Sequence, residues 1–195
     1  MARVERIADA AIGVLADGGG RALTHRAVDA RSGLPPGSTS NCFRTREALL
    51  GGVVRRLLER ERAILDANGP PPVDAQSLVD ELARVVVDAA GAHRDVTLAR
   101  QAVFAEAAAL PSVRDEIERA RDDFAEWMTP ALRQSGCTDV DGHHRMLLAL
   151  VDGLITRRLL APAEHLDPSI AIEGLMRGLL DHSQRPAHAI VGGEP

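Results

Sequence analysis

Apolar residues recur every three to four positions along most of the chain. Val4, Ile7, Ala8, Ala11, Ile12 and Leu15 form one stripe, which predicts a helix over residues 3–17. Asp17-Gly18-Gly19-Gly20 ends it, because glycine takes positive φ freely. Thr24 suits the N-cap of a second helix running to about Arg31, with Ala27 and Val28 inward. Gly33 fits the left-handed position that closes this helix, and Leu34 plugs the gap to the next. Pro35 and Pro36 are tolerated only at a first helical turn, so a third helix is short, about 36–42. Thr45-Arg46-Glu47-Ala48 puts a capping residue and an early acid at the start of a long fourth helix. It runs through Leu49, Leu50, Val53, Val54, Leu57, Leu58 and Leu65 to about Ala67. Asn68-Gly69-Pro70-Pro71-Pro72 is the strongest breaker in the chain and predicts a flexible joint.

Similar stripes predict five more helices, over 74–93, 95–110, 112–134, 141–160 and 167–182. The tail, SQRPAHAIVGGEP, is rich in Pro and Gly and is expected to be loose. The fold class is therefore all-α, with about nine helices and no internal repeat. Composition agrees. Apolar residues make up 45% of the chain but aromatics only 2%, so Leu, Val, Ile and Ala must build the core. The aromatic residues that favour strands are nearly absent.

Charge is unevenly spread. Residues 1–62 carry 11 Arg against 7 Asp plus Glu, a net of +4; the remainder carries 12 Arg against 21 acids, a net of −9. A basic head on an acidic body concentrates attraction for phosphate at one end. Every basic residue is Arg, the side chain that binds phosphate and guanine bidentately. Cys42 and Cys137 lack the spacing of metal ligands or of a disulfide framework, so a reducing cytoplasm is the expected compartment. No apolar run approaches the roughly 18 residues of a membrane span. The N-terminal MARVERIADAA has no uninterrupted apolar stretch of the kind a secretory signal needs.

The segment from Leu23 to Leu50, LTHRAVDARSGLPPGSTSNCFRTREALL, carries the chemistry. A short helix, a glycine turn, a very short second helix and a long third one have the layout of a helix-turn-helix DNA reader. Thr24-x-Arg26, Gly33-Leu34-Pro35, Gly37-Ser38-Thr39, Phe43 and Arg46-Glu47-x-Leu49 resemble the TetR family of bacterial transcription regulators over roughly residues 4–50. Leu150-Val151-Asp152-Gly153-Leu154 with Arg157-Arg158 is similar to that family's penultimate helix. The resemblance implies a three-helix DNA-binding domain at 1–46, an α-helical ligand-binding and dimerisation domain at 47–182 and a flexible tail at 183–195. It also implies a homodimer holding two heads over a palindromic operator, about ten base pairs between half-sites, that releases DNA when a small molecule binds the body. Three positions depart from the family pattern. Ser40 replaces a Tyr, Cys42 replaces an aromatic residue or His, and Asp29 replaces a small Ala. These put the operator sequence in question more than DNA binding itself.

Gly37, Ser38, Thr39, Ser40 and Asn41 are expected on the exposed face of the recognition helix, where Ser, Thr and Asn read base edges. Thr24, Arg26, Arg44 and Arg46 are expected to hold phosphates. Leu98, Gln101, Phe104, Phe124, Trp127, Met128 and Met146 are candidates for a mostly apolar ligand pocket, with core packing as the plainer reading. Gly153, Gly174 and Gly178 interrupt the last two helices at about 1 kcal/mol each against Ala, which close approach of another backbone would offset. With Leu150, Leu154, Arg157 and Leu175 they mark a dimer interface of four-helix-bundle type, with close packing inside one subunit as the plainer reading. Adjacent His143 and His144 point to different helix faces and chelate poorly, so neither a metal nor any other cofactor is expected.

Two other functions compete. A helical enzyme would need a phosphate loop, a Glu-x-x-His pair or a nucleophile elbow, and the sequence has none of these. A protein-interaction module that kept the fold and lost specific DNA binding is the alternative that Asp29 and Ser40 leave open.

Overall fold

The computed structural model describes residues 2–107, 110–162 and 166–183. Its described residues form nine α-helices and no strand. These are α1 (Arg3–Ala22), α2 (His25–Ser32), α3 (Ser38–Cys42), α4 (Arg46–Ala67), α5 (Ala75–Ala90), α6 (Arg94–Ala107), α7 (Pro111–Gln134), α8 (Val140–Leu160) and α9 (Pro168–Ser183). Residues 184–195, nearly all of the tail expected to be loose, lie outside the described residues.

The local signals act as expected at most boundaries. Thr24 Oγ1 accepts from Ala27 N–H at 3.1 Å, and Thr45 Oγ1 accepts from Ala48 N–H at 3.0 Å, so both threonines cap their helices. Gly33 closes α2 at φ 63, and Leu34 packs against the core behind it. The largest difference is at the end of α1. The glycine run does not end α1 at Asp17; it kinks the helix at Gly19 (φ 65, ψ −169), and a further turn reaches Ala22. Leu23 N–H donating to Gly20 O closes that turn.

The chain divides into two compact units, and each takes segments from both halves of the sequence. One comprises the described residues of 1–70 and 88–124, the other those of 71–87 and 125–195. In the first unit α1 packs against α2, α4 and α6, and α4 packs against α6. Ile7, Ile12, Leu15, Leu23, Leu49 and Leu50 are fully buried there, each worth about 1.5–3 kcal/mol of transfer free energy. Ion pairs tie the surface of this core. Arg56 grips Asp9 with Nε at 2.8 Å and Nη2 at 3.0 Å, joining α4 to α1. That hydrogen bonding, with a further bond to Glu59, raises the Arg56 pKa. Arg60–Asp95, Glu61–Arg100 and Arg46–Glu106 join α4 to α6, and their order shows that the two helices run antiparallel. In the second unit α8 packs against α9. Leu78, Leu82, Met128, Leu132, Leu147, Ile155, Ile172 and Met176 are among its buried residues.

Candidate nucleic-acid interface

The five residues of α3 are too few to form a stable helix alone, and Gly37 at the N-cap has no side chain to offer. The missing cap comes from α2. Asp29 is buried, and its Oδ2 accepts from Gly37 N–H at 2.7 Å. Its Oδ1 accepts from Thr39 N–H at 2.8 Å and from Thr39 Oγ1–H at 2.6 Å. The Thr39 hydroxyl bond, helped by the two backbone bonds, holds the Asp29 carboxyl below the usual carboxylate range despite the opposing effect of burial. Arg3 of α1 adds a second brace, its Nη2 donating to Ser38 Oγ at 2.7 Å. His25 Nε2 lies 2.7 Å from the Phe43 carbonyl and links the start of α2 to the end of α3. The buried Phe43 ring rests on α4, where a Cβ at Gly52 would stand only 2.4 Å from Phe43 Cε1.

This bracing decides which predicted residues face outward. Thr24, Arg26, Ser40, Asn41 and Arg44 are exposed, and Gly37 is half-buried. Arg26 and Arg44 make no ion pair among the described residues. Ser38 and Thr39 are the correction: both are buried, and their hydroxyls serve Arg3 and Asp29. Spacing gives no guide here, because one and a half turns carry no apolar stripe to show which side faces in. Arg46 is also engaged. Its Nη1 donates to Leu23 O at 2.5 Å, and its Nη2 donates to Gly20 O at 2.8 Å and Glu106 Oε1 at 2.9 Å. It therefore binds the carbonyls at the end of α1, where a cation opposes the helix dipole's negative end. Sequence reasoning missed the bracing roles of Arg3, Asp29 and Glu106. The one available signal was the pairing of Asp29 with Thr39, two polar residues on sides of their helices that pack inward.

The candidate pocket residues divide between the two units. Leu98, Gln101, Phe104 and Phe124 belong to the first and are half-buried, with the Arg100 and Arg121 guanidinium carbons 5.4 and 5.9 Å from the centroid of Phe104. Trp127, half-buried, and Met128, fully buried, belong to the second. Met146 is 53% exposed and lines no interior, a second correction; it occupies an outward turn of α8. His143, which was set aside as a metal ligand, is buried, and its Nδ1 has no hydrogen-bond partner among the described residues.

Of the expected dimer residues, Gly153, Arg157, Gly174 and Gly178 are exposed, and Leu150 and Leu175 are half-buried. A Cβ at any of the three glycines would meet nothing within 4 Å, so close packing inside the subunit does not call for glycine there. Leu154 is buried within its own unit and departs from the expectation of an outward residue. No helix among the described residues is long and apolar enough to cross a membrane.

Residues 73–182, more than half of the chain, match the family described as Tetracyclin repressor-like, C-terminal domain. The chain belongs to the TetR family of transcriptional regulators, which are not enzymes. Solved structures agree over most of its length. The multidrug binding protein EbrR in complex with ethidium is 30% identical, covering 91% of this chain and 99% of that one at a TM-score of 0.67. The same protein with imidazole gives 28%, 93%, 90% and 0.70. A TetR-family member from Streptomyces coelicolor A3 is 26% identical, covering 92% and 99%, at a TM-score of 0.73. No curated protein matches the chain.

Proposed function

We propose that this protein is a ligand-responsive repressor that binds a palindromic operator as a homodimer and leaves it when a small molecule occupies the helical body. Residues 1–46 are its reading head and 47–182 its ligand-binding and dimerisation region, acting in the cytoplasm. One observation carries the reading. The α2–α3 pair is braced on its inner side by Asp29, Arg3 and His25 and leaves Thr24, Arg26, Ser40, Asn41 and Arg44 outward. In this reading Thr24, Arg26 and Arg44 hold phosphates, and Ser40 and Asn41 meet base edges with the Gly37 backbone alongside. Asp29 is occupied as a cap, which removes one of the two reasons for an interaction module without DNA binding.

The dimer uses α8 and α9. Gly153, Gly174 and Gly178 are exposed where no described residue crowds them, and Leu160 and Ile170 are exposed on the same two helices. A second copy would cover these apolar side chains and offset the roughly 1 kcal/mol that each helical glycine costs. The effector class follows from charge and likeness. Residues 63–195 carry a net of −9, and EbrR is described in complexes with ethidium and proflavin, so planar cations are the compounds to test first.

An unbiased operator selection with the full-length protein tests the proposal. The expected result is an inverted repeat bound by a dimer, with affinity falling steeply as salt rises. Proflavin added to the protein alone should show fluorescence anisotropy of a bound dye. Enrichment of no DNA sequence refutes the repressor reading.

A further inference from the structure

We propose that Asp29 is the positioning residue that sets operator specificity, orienting the recognition helix from the inside without touching DNA. The inference rests on the DNA-reading function above. Three donors at the start of α3 converge on this single carboxylate: the Gly37 amide, the Thr39 amide and the Thr39 hydroxyl, at 2.6 to 2.8 Å. No side chain of α3 itself caps the helix. A Cβ at Gly37 would meet nothing within 4 Å among the described residues, so glycine stands there for its φ of 88, a left-handed bend by which the chain enters α3.

The consequence concerns the two residues that follow. Ser40 and Asn41 come directly after Thr39, and successive residues on a helix differ by about 100°. Rotating α3 by one residue would bring a buried side chain outward and take a reading one in. The Arg3–Ser38 bond is a weaker determinant, because Arg3 is an exposed, flexible side chain, whereas Asp29 is short and buried. Charge separates the role further. A carboxylate behind a DNA-facing helix opposes phosphate attraction, so it weakens non-specific binding while the orientation it enforces strengthens specific binding. Removing it should lower the specific affinity without lowering the non-specific one, a signature that general loss of folding does not produce.

The experiment uses full-length protein, the operator selected with the wild type and a scrambled duplex at one salt concentration. Asp29→Ala should lower the ratio of specific to non-specific affinity by roughly tenfold to a hundredfold, the scale of lost charge-assisted hydrogen bonds. Scrambled-duplex affinity should stay equal or rise. Asp29→Asn, which keeps an acceptor for Thr39, should lose much less of the ratio. Thr39→Val should lose part of it, and adding Thr39→Val to Asp29→Ala should cost little more. Hydrogen exchange should speed up at the Gly37 and Thr39 amides in Asp29→Ala, with the α1 and α4 amides unchanged. If Asp29→Ala does not fold, Asp29→Asn and Thr39→Val carry the same comparison. Retention of the wild-type ratio within twofold in the Ala variant, or parallel loss of both affinities with exchange rising throughout, overturns the inference while leaving a wild type that selects an operator intact. A wild type that selects none overturns the DNA reading, and this inference with it.

Discussion

Gly51 and Gly52 are neighbours in α4, yet alanine should act on them with opposite sign. A Cβ at Gly52 would stand 2.4 Å from Phe43 Cε1, 2.6 Å from Cζ and 3.4 Å from Cδ1. Carbon atoms rest at about 3.5–4.0 Å, so the ring must withdraw by roughly 1 Å or more. Phe43 is buried in the core shared by α1, α2 and α4, and interiors at this density yield little. Overpacking of this kind costs about 1–3 kcal/mol, of which the better helix propensity of Ala returns about 1. Gly52→Ala should therefore be destabilising by about 0–2 kcal/mol. A Cβ at Gly51 would meet only Arg55 Nη1 at 3.7 Å, an ordinary contact, so Gly51→Ala should gain about 0.5–1 kcal/mol. At about 2–4 °C per kcal/mol for a chain of this size, a difference of about 0.5–3 kcal/mol should make the two variants melt roughly 1 to 12 °C apart. Thermal melts and urea titrations followed by far-ultraviolet circular dichroism measure this directly. Phe43→Leu should restore part of the loss in Gly52→Ala, because the smaller side chain leaves room for the methyl. Equal stabilisation by both alanines would refute the argument that the Phe43 ring on α4 fixes the end of α3.

Other substitutions probe the remaining braces. Arg46→Ala removes bonds to Gly20 O, Leu23 O and Glu106, and with a half-exposed guanidinium it should cost about 1–2 kcal/mol; an unchanged melting temperature with lost DNA affinity would return Arg46 to phosphate contact. His143→Leu replaces a buried imidazole whose Nδ1 has no partner among the described residues, so stability should hold or rise by about 1 kcal/mol. A clear loss in that variant would show that the imidazole is satisfied in solution. The folded-state pKa of Asp29 lies below its ordinary 3.8, so its contribution is complete above that value and fades as pH falls through the lower one. The stability gap between wild type and Asp29→Asn, taken from urea midpoints at pH 5 and at pH 3, should narrow at the acid end; a constant gap would argue against an ionised Asp29 cap.

Much of the architecture was legible along the chain because its causes are local. Thr24 and Thr45 cap helices with their own hydroxyls, Gly33 takes φ 63, and the apolar stripe of α1 reappears as the buried Ile7, Ala11, Ile12 and Leu15. Each depends on residues within about a turn of one another, which spacing and propensity report well. The glycine run marked a true discontinuity but not its form. Whether Gly19 ends α1 or kinks it depends on what holds Gly20 to Ala22, and part of that hold is Arg46, across the sequence.

Tertiary structure decided the rest. Local rules placed α3 at about 36–42, close to the observed Ser38–Cys42, but its orientation came from a carboxylate eight to ten residues earlier, which turned Ser38 and Thr39 inward and left Ser40 and Asn41 outside. Arg46 matched a phosphate-binding motif, yet its guanidinium found two carbonyls at the end of α1 and a carboxylate 60 residues on. Apart from the end of α1, the sequence alone determines roughly where helices start, stop and turn an apolar side inward, since hydrogen bonds and side-chain sterics act over a few residues. Which polar groups meet, and so which remain outside to recognise a partner, depends on distances that exist only once distant segments have packed.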